Sequence, residues 1–182
     1  MPKFAANLTM LFTDVPFLDR FGAASRAGFR SVEFLFPYDY SIGQVRELLD
    51  QHGLNVVLFN VPSGDWAGGD RGIAADPGRV AEYRTGVKEA VTWAKALGAP
   101  RLNCLAGKAV QGYTQKEQWQ TLVHNVRYTA DAFAEADLKL MVEFINHYDI
   151  PGFVLNTTAQ TLNLLAEVDR PNVYVQYDVY HA

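Results

Sequence analysis

Residues 4–13 read Phe4-Ala5-Ala6-Asn7-Leu8-Thr9-Met10-Leu11-Phe12-Thr13. An apolar run of strand length passes at Thr9 into a turn that contains no glycine. In a nucleotide-binding open sheet the first strand runs into a glycine-rich phosphate turn, because only glycine lets the backbone approach a pyrophosphate closely. The turn at 9–13 lacks that chemistry. Further runs rich in β-branched and aromatic residues occur at 31–36, 55–60, 101–105, 139–145 and 173–177, which with 4–8 makes six predicted strands.

Stretches of helical period separate them. The first starts near Pro16, sets Phe17, Leu18, Phe21 and Ala24 on one face, and meets Gly28 just beyond its end. Ser41 with Gln44, and Thr114 with Glu117, have the spacing of capping boxes. They open helices that turn Val45, Leu48 and Leu49, and then Trp119, Leu122, Val123, Val126, Ala130 and Phe133, toward a core. Between these two, residues 79–97 carry the stripe Val80, Tyr83, Val87, Val91 and Ala94 and stop at Gly98. Thr157 and Gln160 cap a fifth helix, for which the pattern turns Leu162, Leu165 and Ala166 inward.

Strict alternation of strands and helices with short connections predicts parallel strands joined by right-handed crossovers, as an open doubly wound sheet or a (β/α)8 barrel. The glycine-free first turn favours the TIM barrel. A whole barrel needs eight units and about 250 residues. These 182 residues supply six strands and five helices and stop at Tyr180-His181-Ala182. The expectation is one domain over 1–182, an incomplete TIM barrel lacking its last two βα units. Its first and sixth strands would present open edges, which leaves room for a homo-oligomer or for a non-catalytic half-barrel paired with another chain.

Composition narrows the function. The chain is 49% hydrophobic and 20% charged, with a net charge of −4, and has no basic run to neutralise a phosphate backbone. Nucleic acid is therefore not an expected partner. No apolar run approaches the roughly 18 residues of a membrane span, and the start carries no targeting pattern, so no membrane partner and a cytoplasmic location are expected. The single cysteine, Cys104, lies in an apolar stretch and reads as a small buried hydrophobe.

In a parallel barrel the reactive groups collect at the C-terminal ends of the strands. Glu143 interrupts the apolar run 140–145 near the end of the fifth strand, and Asp178 closes the sixth. One βα unit separates them, which predicts two carboxylates level on neighbouring strands, roughly 4.8 Å apart. Two hard oxygen ligands with no cysteine beside them suit Mg2+ or Mn2+ better than zinc. Without a cation, the same proximity would raise one carboxyl toward the range useful for proton transfer. Rim carboxylates bonded to a helix N-terminus or a lysine are the plainer alternative.

His181 follows Asp178 on the same rim, and Glu33 sits between Val32 and Phe34, where it lines the pocket or pairs with an interior base. Lys108, after the fourth strand, is a candidate point charge for a substrate carboxylate or a solvated loop lysine. The long loop 61–78 carries Asp65, Trp66, Asp70 and Arg71 among five glycines. Trp66 is read as a cap on the pocket, Arg71 as the partner of an acid, and the glycines as a lid or a close backbone approach. A mobile surface excursion is the alternative. A metal-dependent nuclease needs several clustered histidines, and of His52, His124, His147 and His181 the first two fall on helices.

Several of these segments together resemble the hydroxypyruvate isomerases, within the xylose isomerase-like TIM barrels. They are FAANLTMLF at 4–12, VEFLFPYDY at 32–40, PSGDWAGGDRGIA at 62–74, NCLAGK at 103–108, INHYDIPGF at 145–153 and VQYDVYH at 175–181. The resemblance implies interconversion of hydroxypyruvate and 2-hydroxy-3-oxopropanoate. It also implies that Glu143 is one of two catalytic glutamates and binds a divalent metal with Asp178, and that His181 contacts substrate. The remaining ligands, a glutamine and the second glutamate, are implied to come from strands seven and eight. From residues 1–182 alone, little isomerase activity is then expected. A ketose 3-epimerase or a four-carbon oxo-acid isomerase keeps the same barrel and metal with another substrate.

Overall fold

A computed structural model describes residues 3–182. Strands β1 (Ala6–Asn7), β2 (Ser31–Glu33), β3 (Asn55–Asn60), β4 (Arg101–Cys104), β5 (Lys139–Glu143) and β6 (Val173–Gln176) form one sheet in the order β1-β2-β3-β4-β5-β6. Every neighbouring pair is parallel. Helices α1 (Arg20–Arg26), α2 (Ile42–His52), α3 (Val80–Leu97), α4 (Gln115–Ala134) and α5 (Thr158–Val168) make the crossovers, with 3-10 turns at Phe17–Asp19 and Pro77–Arg79 leading into α1 and α3. A doubly wound sheet reverses its strand order at a switch point. Here the order never reverses, which is the winding of a barrel, and the C-terminal ends of the strands gather on one rim. Among the described residues, β1 and β6 are each paired on one side only.

The helix ends follow the expected chemistry. Ser41 and Thr114 accept the backbone N–H of Gln44 and Glu117, whose side chains bond back to the cap backbone, and Gly53 and Gly98 end α2 and α3 in the left-handed region. The predicted phase of α5 is off by one residue. Leu162 is 55% exposed, while Thr161, Leu164 and Val168 face inward. The hydroxyl of Thr161 donates to the Thr157 carbonyl at 3.2 Å, so this polar residue is buried with its hydrogen bond made.

Strand β1 is shorter than its apolar run because it pairs only with β2, over Ala6 and Asn7, and Phe4 stands 74% exposed. Phe34 and Phe59 stack inside the sheet with ring centroids 6.0 Å apart. Between sheet and helices, the hydroxyl of the buried Tyr83 meets Thr129 Oγ1 at 2.7 Å and Cys104 Sγ at 3.1 Å. Burial pushes the Cys104 thiol up to about 11, so it is an inert core group.

The loop 61–78 is fastened down. Gly72 and Gly107, at φ +110° and +94°, lie backbone to backbone, and a Cβ on either would overlap the carbonyl of the facing chain. Ala75 N–H donates to Ala106 O at 2.9 Å, and Arg79 pairs with Asp70 at 2.7 Å. Of the two uses read for its glycines, this is the close backbone approach. No helix among the described residues is long and apolar enough to cross a membrane.

Candidate active site

Glu143 is the last residue of β5, in register with Gln176, the last residue of β6. Its carboxylate accepts Asn103 Nδ2 from β4 at 2.8 Å and Gln176 Nε2 at 3.3 Å. Only 8% of Glu143 is exposed, and among the described residues it forms no ion pair. Burial pushes the carboxyl up to about 7, and the negative charges of Asp178 and Glu33 add to the rise, against the lowering effect of the two amide hydrogen bonds.

The expectation that Asp178 lies level with Glu143 on the sixth strand needs correcting. Gln176 holds that position, and Asp178 lies beyond the end of β6. Because side chains alternate along an extended chain, residues 176 and 178 have the same sense, and Asp178 still turns toward the rim. Its turn is fixed by Tyr180 N–H donating to Asp178 Oδ1 at 2.8 Å and by His181 N–H donating to Asp178 O at 3.0 Å. One ligand atom from each of Glu143, Asp178 and His181 lies within 4.8 Å of the others. The neighbouring Gln176 Oε1 is buried with no partner. Two carboxylates beside a free amide oxygen make a set of hard acceptors able to hold a cation such as Mg2+ or Mn2+.

These groups open into a cavity of about 370 Å3 that also contains Glu33, Trp66 and Arg71. Glu33 accepts Asn7 Nδ2 at 3.0 Å, and its carboxyl is raised by burial, with the hydrogen bond from Asn7 opposing and the charge of Asp178 adding. The Arg71 guanidinium lies 4.3 Å over the Trp66 ring and donates through Nη1 to the carbonyls of Trp66 and Asp70 at 3.0 and 2.6 Å. Among the described residues it forms no ion pair with a carboxylate. Trp66 packs on Phe36 at 5.0 Å and divides this cavity from a second, of about 540 Å3, that runs past Arg20, Asp39 and Glu89.

Lys108 is not with them. Its backbone forms an antiparallel bridge with Phe153, which puts Phe153 on the main cavity. The Lys108 ammonium instead donates to Gly69 O at 3.3 Å, over a smaller cavity beside Arg79. Sequence reasoning singled out the acids and passed over the amides that hold them: Asn7, Asn103 and Gln176. The signal was present in Leu102-Asn103-Cys104, where an amide interrupts an apolar strand. A buried amide in such a place needs a partner.

The family model for the xylose isomerase-like TIM barrel matches residues 21–182. The chain is 48% identical over 181 residues to a hydroxypyruvate isomerase of Escherichia coli, and 45% identical over 182 residues to a 2-oxo-tetronate isomerase of Haemophilus influenzae. Each alignment covers 100% of this chain and 70% of the relative. A crystal structure of an AP endonuclease, family 2, from Brucella melitensis superposes with a TM-score of 0.96 at 44% identity, over 100% of this chain and 70% of the other. With its six parallel strands in unreversed order, the chain belongs to the xylose isomerase-like TIM-barrel family, and its kinship with named isomerases makes it an isomerase.

Proposed function

We propose that this protein interconverts hydroxypyruvate and 2-hydroxy-3-oxopropanoate by moving a proton between adjacent carbons through an ene-diolate. The observation that carries the reading is the cluster of Glu143, Asp178 and His181, whose ligand atoms lie within 4.8 Å of one another on a cavity that also holds Arg71. A carboxylate held on the rim by two amides takes a proton from one carbon and returns it to the next, as a reversible isomerisation requires.

Glu143 and Asp178 are the residues that would hold Mg2+ or Mn2+, with the unpartnered Gln176 Oε1 beside them. A divalent cation in that position supplies positive charge against the negative charge that develops on the substrate oxygens. The remaining work belongs to the chain. Asn103 and Gln176 fix the Glu143 carboxylate, so that it takes up and returns a proton at one place on the rim. Arg71 pairs with the substrate carboxylate while Trp66, beneath its guanidinium, walls the cavity against water. Glu33 and His181 line the same cavity and would meet the hydroxyl groups of a three- or four-carbon acid.

The test compares substrates on the full-length protein. Hydroxypyruvate, 2-oxo-tetronate and neutral ketoses are each followed by proton NMR with Mn2+ and with a chelator. Fastest turnover of hydroxypyruvate, lost on chelation, supports the proposal. Faster turnover of 2-oxo-tetronate moves the assignment to the four-carbon acid, and preference for a neutral ketose overturns the acid-substrate reading.

A further inference from the structure

Three residues past Glu143, the loop after β5 carries Asn146, which meets the ring of His181. An asparagine amide has two orientations that exchange its oxygen and nitrogen. Here its orientation is fixed by its own loop. Asn146 Oδ1 accepts the backbone N–H of Tyr148 and of Asp149, each at 3.0 Å. A backbone N–H only donates, so the atom facing it is the oxygen.

The amide nitrogen therefore points the other way. Nδ2 donates to Asp149 Oδ2 at 2.8 Å and lies 2.9 Å from His181 Nδ1. An amide N–H has nothing to accept with, so His181 Nδ1 must be the acceptor, and the proton of the neutral ring then sits on Nε2. Nε2 is 3.9 Å from Asp178 Oδ2, too far for a hydrogen bond, and the ring borders the cavity that holds Glu143. Tyr180 packs against the ring edge to face at 5.2 Å and limits its rotation.

We infer that Asn146 is a positioning residue that holds His181 as the Nε2–H tautomer, so that the imidazole offers the cavity a hydrogen-bond donor and not a metal-binding lone pair. Geometrically, His181 stands with Glu143 and Asp178 as a third candidate ligand. The hydrogen bond from Asn146 separates its role from theirs. A neutral imidazole N–H aimed at a substrate oxygen stabilises the negative charge that grows there during enolisation. Only the identity of that oxygen rests on the proposed isomerase reading; the tautomer does not.

The experiment is a long-range proton–nitrogen correlation spectrum of the full-length, histidine-labelled protein without metal, with the His181 signals assigned by their loss in His181→Ala. The expected result is a pyridine-like Nδ1 and a pyrrole-like Nε2. The double variant Asn146→Asp with Asp149→Asn keeps an oxygen for the two backbone N–H groups and an amide–carboxylate pair, but turns an acceptor toward His181. It should move the ring proton to Nδ1 and lower kcat by about tenfold or more, with a smaller change in KM. Calorimetry with Mn2+ should give equal affinity for the wild type and His181→Ala. A pyridine-like Nε2 in the wild type overturns the inference, as does a double variant with unchanged ring signals. So does a loss of about tenfold or more in Mn2+ affinity on removing the ring. If the double variant does not fold, the wild-type spectrum decides. Because the spectrum needs no turnover, a failure of the isomerase reading leaves its result unaffected.

Discussion

Glu143 and Gln176 close neighbouring strands in register, with the Gln176 amide donating to the Glu143 carboxylate at 3.3 Å. The hydrogen bond orients the acid without neutralising it. The same amide leaves its own oxygen buried and unpartnered beside the charge. Such a site is costly when no cation is bound.

Glu143 is raised from its ordinary 4.5 to about 7 in the folded chain. A carboxyl raised on folding favours the folded state below its unfolded pKa, and that contribution is lost as pH rises through the folded value. In chelator, stability should therefore fall between about pH 4.5 and 7, by on the order of 3 kcal/mol for a rise of this size. Glu143→Gln should be flatter over the same window and more stable than wild type at pH 8. Thermal melts in chelator at pH 5 and pH 8 check both.

Mn2+ should raise the Tm at pH 8, since a ligand bound only to the folded state stabilises it by mass action. Asp178→Asn should lose most of that increase while keeping its chelator-treated Tm within a few degrees of wild type, because Asp178 is half-buried and lies outside β6. Melts with and without Mn2+ give the comparison.

How much of this was legible in the sequence follows from the kind of physics each feature obeys. Strand order and helix ends are local: β-branched runs, capping boxes and terminal glycines reported them, and every predicted strand and helix is present. The acids Glu143 and Asp178 stood out because a charge in an apolar strand is costly in any fold. What stayed hidden depends on register and on bridges between distant segments. One-residue bookkeeping cannot show that Gln176, not Asp178, faces Glu143, or that the Lys108–Phe153 bridge carries Lys108 away from the cavity. The phase of α5 is hidden because a threonine whose hydroxyl bonds to its own helix can be buried like an apolar residue.

The positions of the two cations make a matched pair of variants. Arg71 borders the cavity over Trp66, whereas Lys108 does not. Arg71→Gln should raise KM for an acid substrate by about tenfold to a hundredfold, the worth of a charged hydrogen bond. Lys108→Gln should leave KM within about twofold, as for a surface change away from the site. Steady-state kinetics on both variants checks this.

Fastening of the loop rests on Gly72 at φ +110°, where a Cβ would strike the carbonyl of Leu105. Gly72→Ala combines a disfavoured backbone with that overlap and should cost well over about 1 kcal/mol. Because the loop carries Trp66 and Arg71, KM should rise as well. Urea denaturation and KM, measured on the same preparation, test the two effects together.

The most direct measurement follows hydroxypyruvate by proton NMR in deuterium oxide, with the full-length protein and Mn2+, for the wild type and Glu143→Gln. The expected result is appearance of 2-hydroxy-3-oxopropanoate with the wild type, and a rate lower by at least about a hundredfold with the variant, as for loss of a general base. Equal rates in the two proteins, or an unchanged hydroxypyruvate spectrum with the wild type, would contradict Glu143 as the group that moves the proton.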